Sequence, residues 1–213
     1  MDKWKKAVEI LKNGGVVIIP SDSSYGIAAL ASSPDAVGKV YKIKGREAGK
    51  PSLLIVGSTE QAHELVEFTP LADELAQKYW PGGLSLVLDA KSTDLPEQIY
   101  GADHTLTLHL GGGVVNPSGS HLPGELTLAV RLPDKRQLRD LALKVGPFIL
   151  PSANLAGEKP PFSAGEVDKK IINQVDFFLD EPTGGNPSST IVDARGEKPK
   201  ILRDGPVKVA EKS

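Results

Sequence analysis

Asn13-Gly14-Gly15-Val16-Val17-Ile18-Ile19-Pro20 is the stretch that sets the fold class. Val16 to Ile19 are all β-branched with no polar residue between them, whereas a strand with one wet face would alternate. Such a run is buried on both faces, so the sheet it belongs to is covered on both sides. Upstream, residues 3–12 place charges around a short apolar stripe, the pattern of an amphipathic helix, and Asn13-Gly14-Gly15 stops it. Downstream, Ser33-Pro34-Asp35 offers a cap and a proline at the first helical position, and Val37, Val40 and Tyr41 form the apolar face that follows. Leu53-Leu54-Ile55-Val56 is a second buried strand, followed by the capping box Ser58-Thr59-Glu60-Gln61 and a helix with Leu65 and Val66.

Further along, a helix over 71–79 breaks at Trp80-Pro81-Gly82-Gly83 and residues 84–88 return as a strand. Later strands are expected at 105–110, 126–132, 148–150, 175–179, 190–192 and 200–202. Helices are expected at 135–144 and 163–171, the latter opened by Ser163-Ala164-Gly165-Glu166. Strands and helices alternate early and strands dominate later. The expectation is one α/β domain over 1–213, an open twisted mixed sheet flanked by helices. Residues 111–124 are rich in turn formers and read as a long inserted loop, of the kind that serves as a lid or binding loop.

Composition narrows the chemistry. With 213 residues and 39% apolar content the chain can bury a substantial core. A net charge of -2 and a pI near 6.1 give no global field for gripping a nucleic-acid backbone, so a polyanion would be met by local charges. The absence of cysteine removes disulfides, thiolate nucleophiles and thiolate zinc sites. The N-terminal helix lacks the apolar core of a signal peptide and no segment has the length of a membrane span, so a cytoplasmic protein is expected.

The motifs that remain are polar and lie at strand ends, where α/β proteins gather ligands. Lys42-Ile43-Lys44-Gly45-Arg46-Glu47-Ala48-Gly49-Lys50-Pro51 crowds Lys44, Arg46 and Lys50 into a glycine-flanked helix exit. Those charges either stay solvated beside the helix dipole or hold something negative, such as phosphates. Pro20-Ser21-Asp22-Ser23-Ser24-Tyr25-Gly26 follows the first strand, Pro151-Ser152-Ala153-Asn154 a later one, Pro187-Ser188-Ser189-Thr190 precedes another, and Leu202-Arg203-Asp204-Gly205 closes the series. Singly each is ordinary turn chemistry. No Walker-type loop or nucleophile elbow is present, and His63, His104, His109 and His121 have no metal-ligand spacing.

In this order, Lys44-Gly45-Arg46 with Lys50, Trp80-Pro81-Gly82, Ala129-Val130-Arg131, Ser152-Ala153-Asn154, Ser189-Thr190-Ile191-Val192-Asp193 and Arg203-Asp204-Gly205 resemble the YrdC family. These are the threonylcarbamoyl-AMP synthases that begin threonylcarbamoyl modification of adenosine 37 in tRNA. The resemblance covers about Gly14 to Gly205 and implies an open α/β sheet with a large concave basic cavity. It places Arg46, Lys50, Thr127, Asn154 and Arg203 on ATP, with Lys44 as a further basic wall, and makes Lys44, Arg46 and Lys50 the charges at the reaction. Ser23, Arg131, Ser152 and Ser189 fall at positions that hold threonine. The chain departs from the family at Ser21 and Ser23, where threonines are usual, at Gly83 and Ser85, at Phe162, and at Ile55, where a relative has a polar contact.

The implied reaction joins L-threonine, bicarbonate and ATP into threonylcarbamoyl-AMP with release of pyrophosphate. Mg²⁺ is expected with the nucleotide, with no dedicated protein ligand, and downstream threonylcarbamoyl-transfer proteins are the expected partners. Because the chain ends ten residues after Arg203, a short form without the longer members' C-terminal domain is expected. The rival readings are a related domain that adenylates carbamate or acts on another substrate, and a module that binds structured RNA; weak RNA contact fits the basic loop.

Overall fold

Residues of β1 (Val17–Pro20) divide between two separate apolar cores, which is why that run needs no polar face. Val16 and Ile18 join one core and Val17 and Ile19 the other, all fully buried. The structure is a computed structural model that describes residues 2–45, 51–92, 94–102 and 126–210. Arg46, Lys50, the expected strand at 105–110 and the loop at 111–124 lie outside the described residues.

Among the described residues a single mixed sheet runs in the order β10-β9-β4-β6-β3-β7-β2-β1-β8, with β5 paired to β6. Its strands are β2 (Tyr25–Leu30), β3 (Leu54–Ile55), β4 (Leu84–Asp89), β5 (Gly101–Ala102), β6 (Leu126–Arg131), β7 (Phe148–Ile149), β8 (Phe177–Phe178), β9 (Thr190–Asp193) and β10 (Lys200–Arg203). Helices α1 (Lys3–Lys12) and α5 (Arg136–Val145) cover one face through Ala7, Leu11, Leu138, Leu141 and Ala142. Helices α2 (Pro34–Lys44), α3 (Thr59–Leu65) and α4 (Pro70–Tyr79) pack on the other. The open mixed sheet flanked by helices is therefore as expected. No described helix is long and apolar enough to cross a membrane.

Helix starts follow the sequence closely. Ser33, Ser58 and Thr69 accept from the backbone N–H groups of Ala36, Gln61 and Ala72, which satisfies one orphan donor at each helix start. Gly45 takes φ 58° in the left-handed region and ends α2. The short strand β5 was not expected, and two further elements differ from expectation. The expected helix over 163–171 is a 3₁₀ turn (Ala164–Glu166) and a separate short helix α6 (Lys169–Ile172), because Asp168 caps a fresh start by accepting from Lys170 N–H. Strand β2 was missing from the sequence reading: Gly26, Ala28 and Ala29 carry little β-propensity, yet β2 pairs antiparallel with β1 from Val17↔Ala28 to Pro20↔Tyr25.

Candidate functional site

The face covered by α1 and α5 over β1, β2, β3 and β7 continues across β4, β6, β9 and β10 as a polar surface. Alternation along β6 sends Leu126, Leu128 and Val130 into the core, leaving Thr127, Ala129 and Arg131 on the opposite face. Ser85 on β4 and Ser189 at the start of β9 share that face, and their hydroxyls meet at 2.8 Å. Thr127 and Arg131 stand four residues apart on one strand, roughly 13 Å at about 3.3 Å per residue, which leaves room for an extended ligand between them. Thr127 Oγ1 donates to Gly101 O at 3.3 Å.

Arg203 reaches this face through a β-bulge. Ile201 pairs with Val192 but Arg203 pairs with Ile191, so Leu202 is the extra residue and is left half exposed. A regular register would set residue 203 opposite Thr190 and turn its side chain to the other face. Bulged, Arg203 donates Nε and Nη2 to Ser189 O at 3.0 and 2.8 Å, and Nη2 to Ser189 Oγ at 3.1 Å. The loop after it fits tightly: a Cβ on Gly205 would lie 2.4 Å from Thr190 N and 2.6 Å from Ser188 O.

The hairpin tip joining β1 to β2 brings Ser21, Asp22, Ser23 and Ser24 to the same region. Ser21 closes the turn twice, by its N–H and its hydroxyl to Ser24 O at 3.0 and 2.6 Å, and its Oγ accepts from Ser23 N–H at 3.0 Å. Ser23 Oγ lies 3.0 Å from Ser21 Oγ. Asp22 forms a buried ion pair with Arg131 Nη2, and Arg131 Nε donates to Gly82 O at 2.8 Å. Only 6% of Arg131 and 7% of Asp22 is exposed, so the pair is desolvated and geometrically fixed.

Above the tip lies a strap at 182–186. Gly184 N–H donates to Ser21 O at 2.9 Å, Gly185 N–H to Ser23 O at 3.0 Å and Asn186 N–H to Asp22 O at 3.2 Å.

The Ser152-Ala153-Asn154 triplet is pinned to β2. Gly26 bridges to Ser152, and a Cβ there would lie 2.6 Å from Leu150 Cδ1, so this close approach demands glycine. Ala153 N–H donates to Tyr25 O at 2.8 Å and Tyr25 N–H donates to Pro161 O at 2.9 Å, which ties both ends of the 153–161 loop to one residue. Lys44 corrects the expectation that its charge must stay solvated or face an anion. It is buried, and its ammonium donates to Ser152 O and, at 2.8 Å, to Asn154 O. It holds the triplet in place. Asn154 Nδ2 donates to Leu155 O and Glu158 O at 2.9 and 2.8 Å, while its buried Oδ1 has no partner among the described residues.

Charge in the site is unbalanced toward positive. Burial pushes the Arg131 guanidinium down from its ordinary range, and Asp22 opposes this. Burial lowers Arg203 too, and the Arg131 charge lowers it further, so the two guanidiniums sense each other. Among the described residues no carboxylate pairs with Arg203. Lys135, at the start of α5, is lowered by burial against the pull of Glu181 and Asp22. With Arg131 paired to Asp22 and no described carboxylate on Arg203, Arg203 is the cation of this face that can meet an anion. A surface groove of about 600 Å³ between α1 and β8, lined by Lys3, Lys6, Glu9, Ile10, Asn13 and Phe177, contains none of these groups.

A family model described as Sua5_yciO_yrdC, telomere recombination, matches residues 9–205. The chain belongs to the Sua5/YciO/YrdC family.

A putative threonylcarbamoyl-AMP synthase of Mycobacterium tuberculosis is 33% identical over 203 residues, covering 94% of this chain and 83% of the relative. The threonylcarbamoyl-AMP synthase of Pyrococcus abyssi is 30% identical, covering 99% of this chain and 57% of the relative. The crystal structure of P. abyssi Sua5 complexed with L-threonine superposes with a TM-score of 0.77 at 30% identity, over 95% of this chain and 54% of that one. The chain thus spans about half the length of the Pyrococcus protein.

Of the residues selected from sequence, Thr127, Arg131, Ser189 and Arg203 lie on one sheet face, with Ser23 in the hairpin tip that Asp22 ties to Arg131, whereas Ser152 and Asn154 lie in the turn after β7 with the Lys44 ammonium on their carbonyls. Sequence reading gave no role to Asp22, Ser85 or Lys135. Ser85 interrupts the apolar run Leu84-Ser85-Leu86, which was the available signal for it.

Proposed function

We infer that this chain condenses L-threonine, bicarbonate and ATP into threonylcarbamoyl-AMP and pyrophosphate, the step that precedes threonylcarbamoyl transfer to adenosine 37 of tRNA. The observation that carries the reading is Arg203 brought by the bulge onto Ser189, whose hydroxyl meets Ser85, on the sheet face that also bears Arg131, with no carboxylate on Arg203 among the described residues. The threonine complex of the Pyrococcus relative supports the choice of amino acid.

The threonine nitrogen forms a bond to the bicarbonate carbon with loss of water. One oxygen of the resulting carbamate then attacks the α-phosphorus of ATP, the bond from that phosphorus to the bridging oxygen breaks, and pyrophosphate departs. Such a displacement needs alignment and charge neutralisation more than a protein nucleophile, in keeping with a chain that has no cysteine.

In this reading Arg131 takes the amino acid's carboxylate beside Ser23 and Ser189, while Arg203, Thr127 and Asn154 serve the nucleotide; Arg46 and Lys50, outside the described residues, are assigned to it by the family resemblance alone. Lys44 acts by fixing the carbonyls of Ser152 and Asn154. Among the described residues no cluster of three or more His, Asp or Glu side chains is built to hold a metal. In this reading Mg²⁺ arrives on the nucleotide, with phosphates and water as its ligands.

The test is pyrophosphate release from ATP by the purified protein, with threonylcarbamoyl-AMP followed by mass spectrometry. Release should require both threonine and bicarbonate, with threonine favoured over serine by about 10- to 200-fold for its one methyl. Equal release in carbon-dioxide-free buffer would overturn the carbamate route.

A further inference from the structure

We propose that Asp22 recognises the α-amino nitrogen of the amino-acid substrate through Oδ1, the carboxylate oxygen that the described residues leave without a donor. The proposal rests on the reading that this site takes threonine. Asp22 Oδ2 is engaged by Arg131, whereas Oδ1 is shut off from solvent and has no hydrogen-bond partner among the described residues. Burying a charged acceptor without a donor is costly, and native structures keep such groups where a ligand completes them.

Donors are close at hand, but none is aimed at this oxygen. Arg131 Nε is committed to Gly82 O, and Lys135 Nζ donates to Pro182 O at 3.0 Å. Among the described residues nothing supplies the missing donor, and the amino-acid substrate is the group proposed to bring it.

The geometry specifies the donor's chemistry. Asp22 and Arg131 present opposite charges in direct contact, and an α-amino acid carries its own opposite charges one carbon apart. With its carboxylate on the guanidinium, its nitrogen falls beside the carboxylate of Asp22. The contact survives the reaction, because the carbamate retains one N–H for Oδ1 while its oxygens turn to the phosphorus. Entry requires part of the wall to give way. The strap at 182–186, which lies on the Asp22 backbone, has the freedom to do so through the adjacent Gly184 and Gly185, the latter at φ 70°.

The experiment is calorimetric titration of the full chain with threonine and with 3-hydroxybutanoate, which keeps the carboxylate and hydroxyl but lacks the amine. In Asp22→Asn the amide oxygen turns to Arg131 and its NH₂ group takes the place of Oδ1, offering a donor where an acceptor stood. Wild type should prefer threonine by about 10- to 150-fold, the worth of a hydrogen bond to a charged group. Asp22→Asn should bring the two acids within about threefold of each other while ATP affinity holds, since no nucleotide contact is altered.

Equal weakening of both acids in the variant would mean that Asp22 only props Arg131, and would overturn the proposal. Should the variant fail to bind ATP, and hence to fold, the wild-type pair decides: a preference under about threefold refutes recognition of the amine and a large one upholds it. Wild type that binds ATP but neither acid strikes the threonine reading itself, and this inference with it.

Discussion

Substituting Gly184 by alanine should unseat the hairpin tip without touching any charged group. A Cβ at position 184 would stand 2.2 Å from Asp22 O and 2.7 Å from Asp22 C, where real Cβ contacts essentially never fall below 3.0 Å. Backbone atoms cannot rotate out of the way, so strap and tip must separate by at least about 0.8 Å, from 2.2 to 3.0 Å. That separation stretches the hydrogen bonds from Gly184, Gly185 and Asn186 to Ser21, Ser23 and Asp22, now 2.9 to 3.2 Å long. Overpacking of this kind costs about 1–3 kcal/mol. For a chain of this size that lowers Tm by about 4–8 °C near the middle of the range.

Activity should suffer more than stability. A misplacement of about 1 Å at a reacting centre can cost about 100-fold in rate, and Ser23 and Asp22 move with the tip. Differential scanning calorimetry and pyrophosphate release would be read on the same preparations. Gly165→Ala is the matched control, since a Cβ there meets nothing within 4 Å and its backbone is not left-handed. Wild-type Tm and kcat/KM in Gly184→Ala would refute the reasoning, because the strap would then not bear on the tip.

Arg203→Lys keeps the charge but cannot reproduce the Nε and Nη2 grip on Ser189 O, so its kcat/KM should lie nearer to that of Arg203→Ala, itself down about 100- to 1000-fold, than to wild type; full activity in the lysine variant would show that only the charge matters. Burial alone would raise the Asp193 carboxyl, but hydrogen bonds from the Arg195 side chain and backbone hold it below the usual carboxylate range. A folded-state value below the unfolded one stabilises at neutral pH, and that stabilisation is lost as pH falls through the depressed value. Denaturant unfolding of Asp193→Asn should therefore fall less steeply with acid than wild type; parallel acid limbs would contradict the pairing.

Burial on both faces was written into Val16-Val17-Ile18-Ile19, because a run of β-branched residues has no use for a wet side, and helix starts were written into Ser33, Ser58 and Thr69, because capping is local. The family was legible too, since the polar motifs at strand ends keep their order along the chain. What sequence could not supply was contact between residues far apart in number. Strand β2 carries glycine and alanine where a strand signal should be, and only its pairing with β1 and β7 defines it. Lys44 looks like a solvated charge until the fold brings the Ser152 and Asn154 carbonyls to it across more than a hundred residues. Arg203 owes its position to one extra residue in an edge strand, and a single step of register decides which face a side chain occupies. Asp22 gained a role only when Arg131 arrived at one of its oxygens and nothing arrived at the other. Local chemistry is set by neighbours in the chain, whereas desolvation and charge pairing are set by neighbours in space, and those exist only once the sheet has closed.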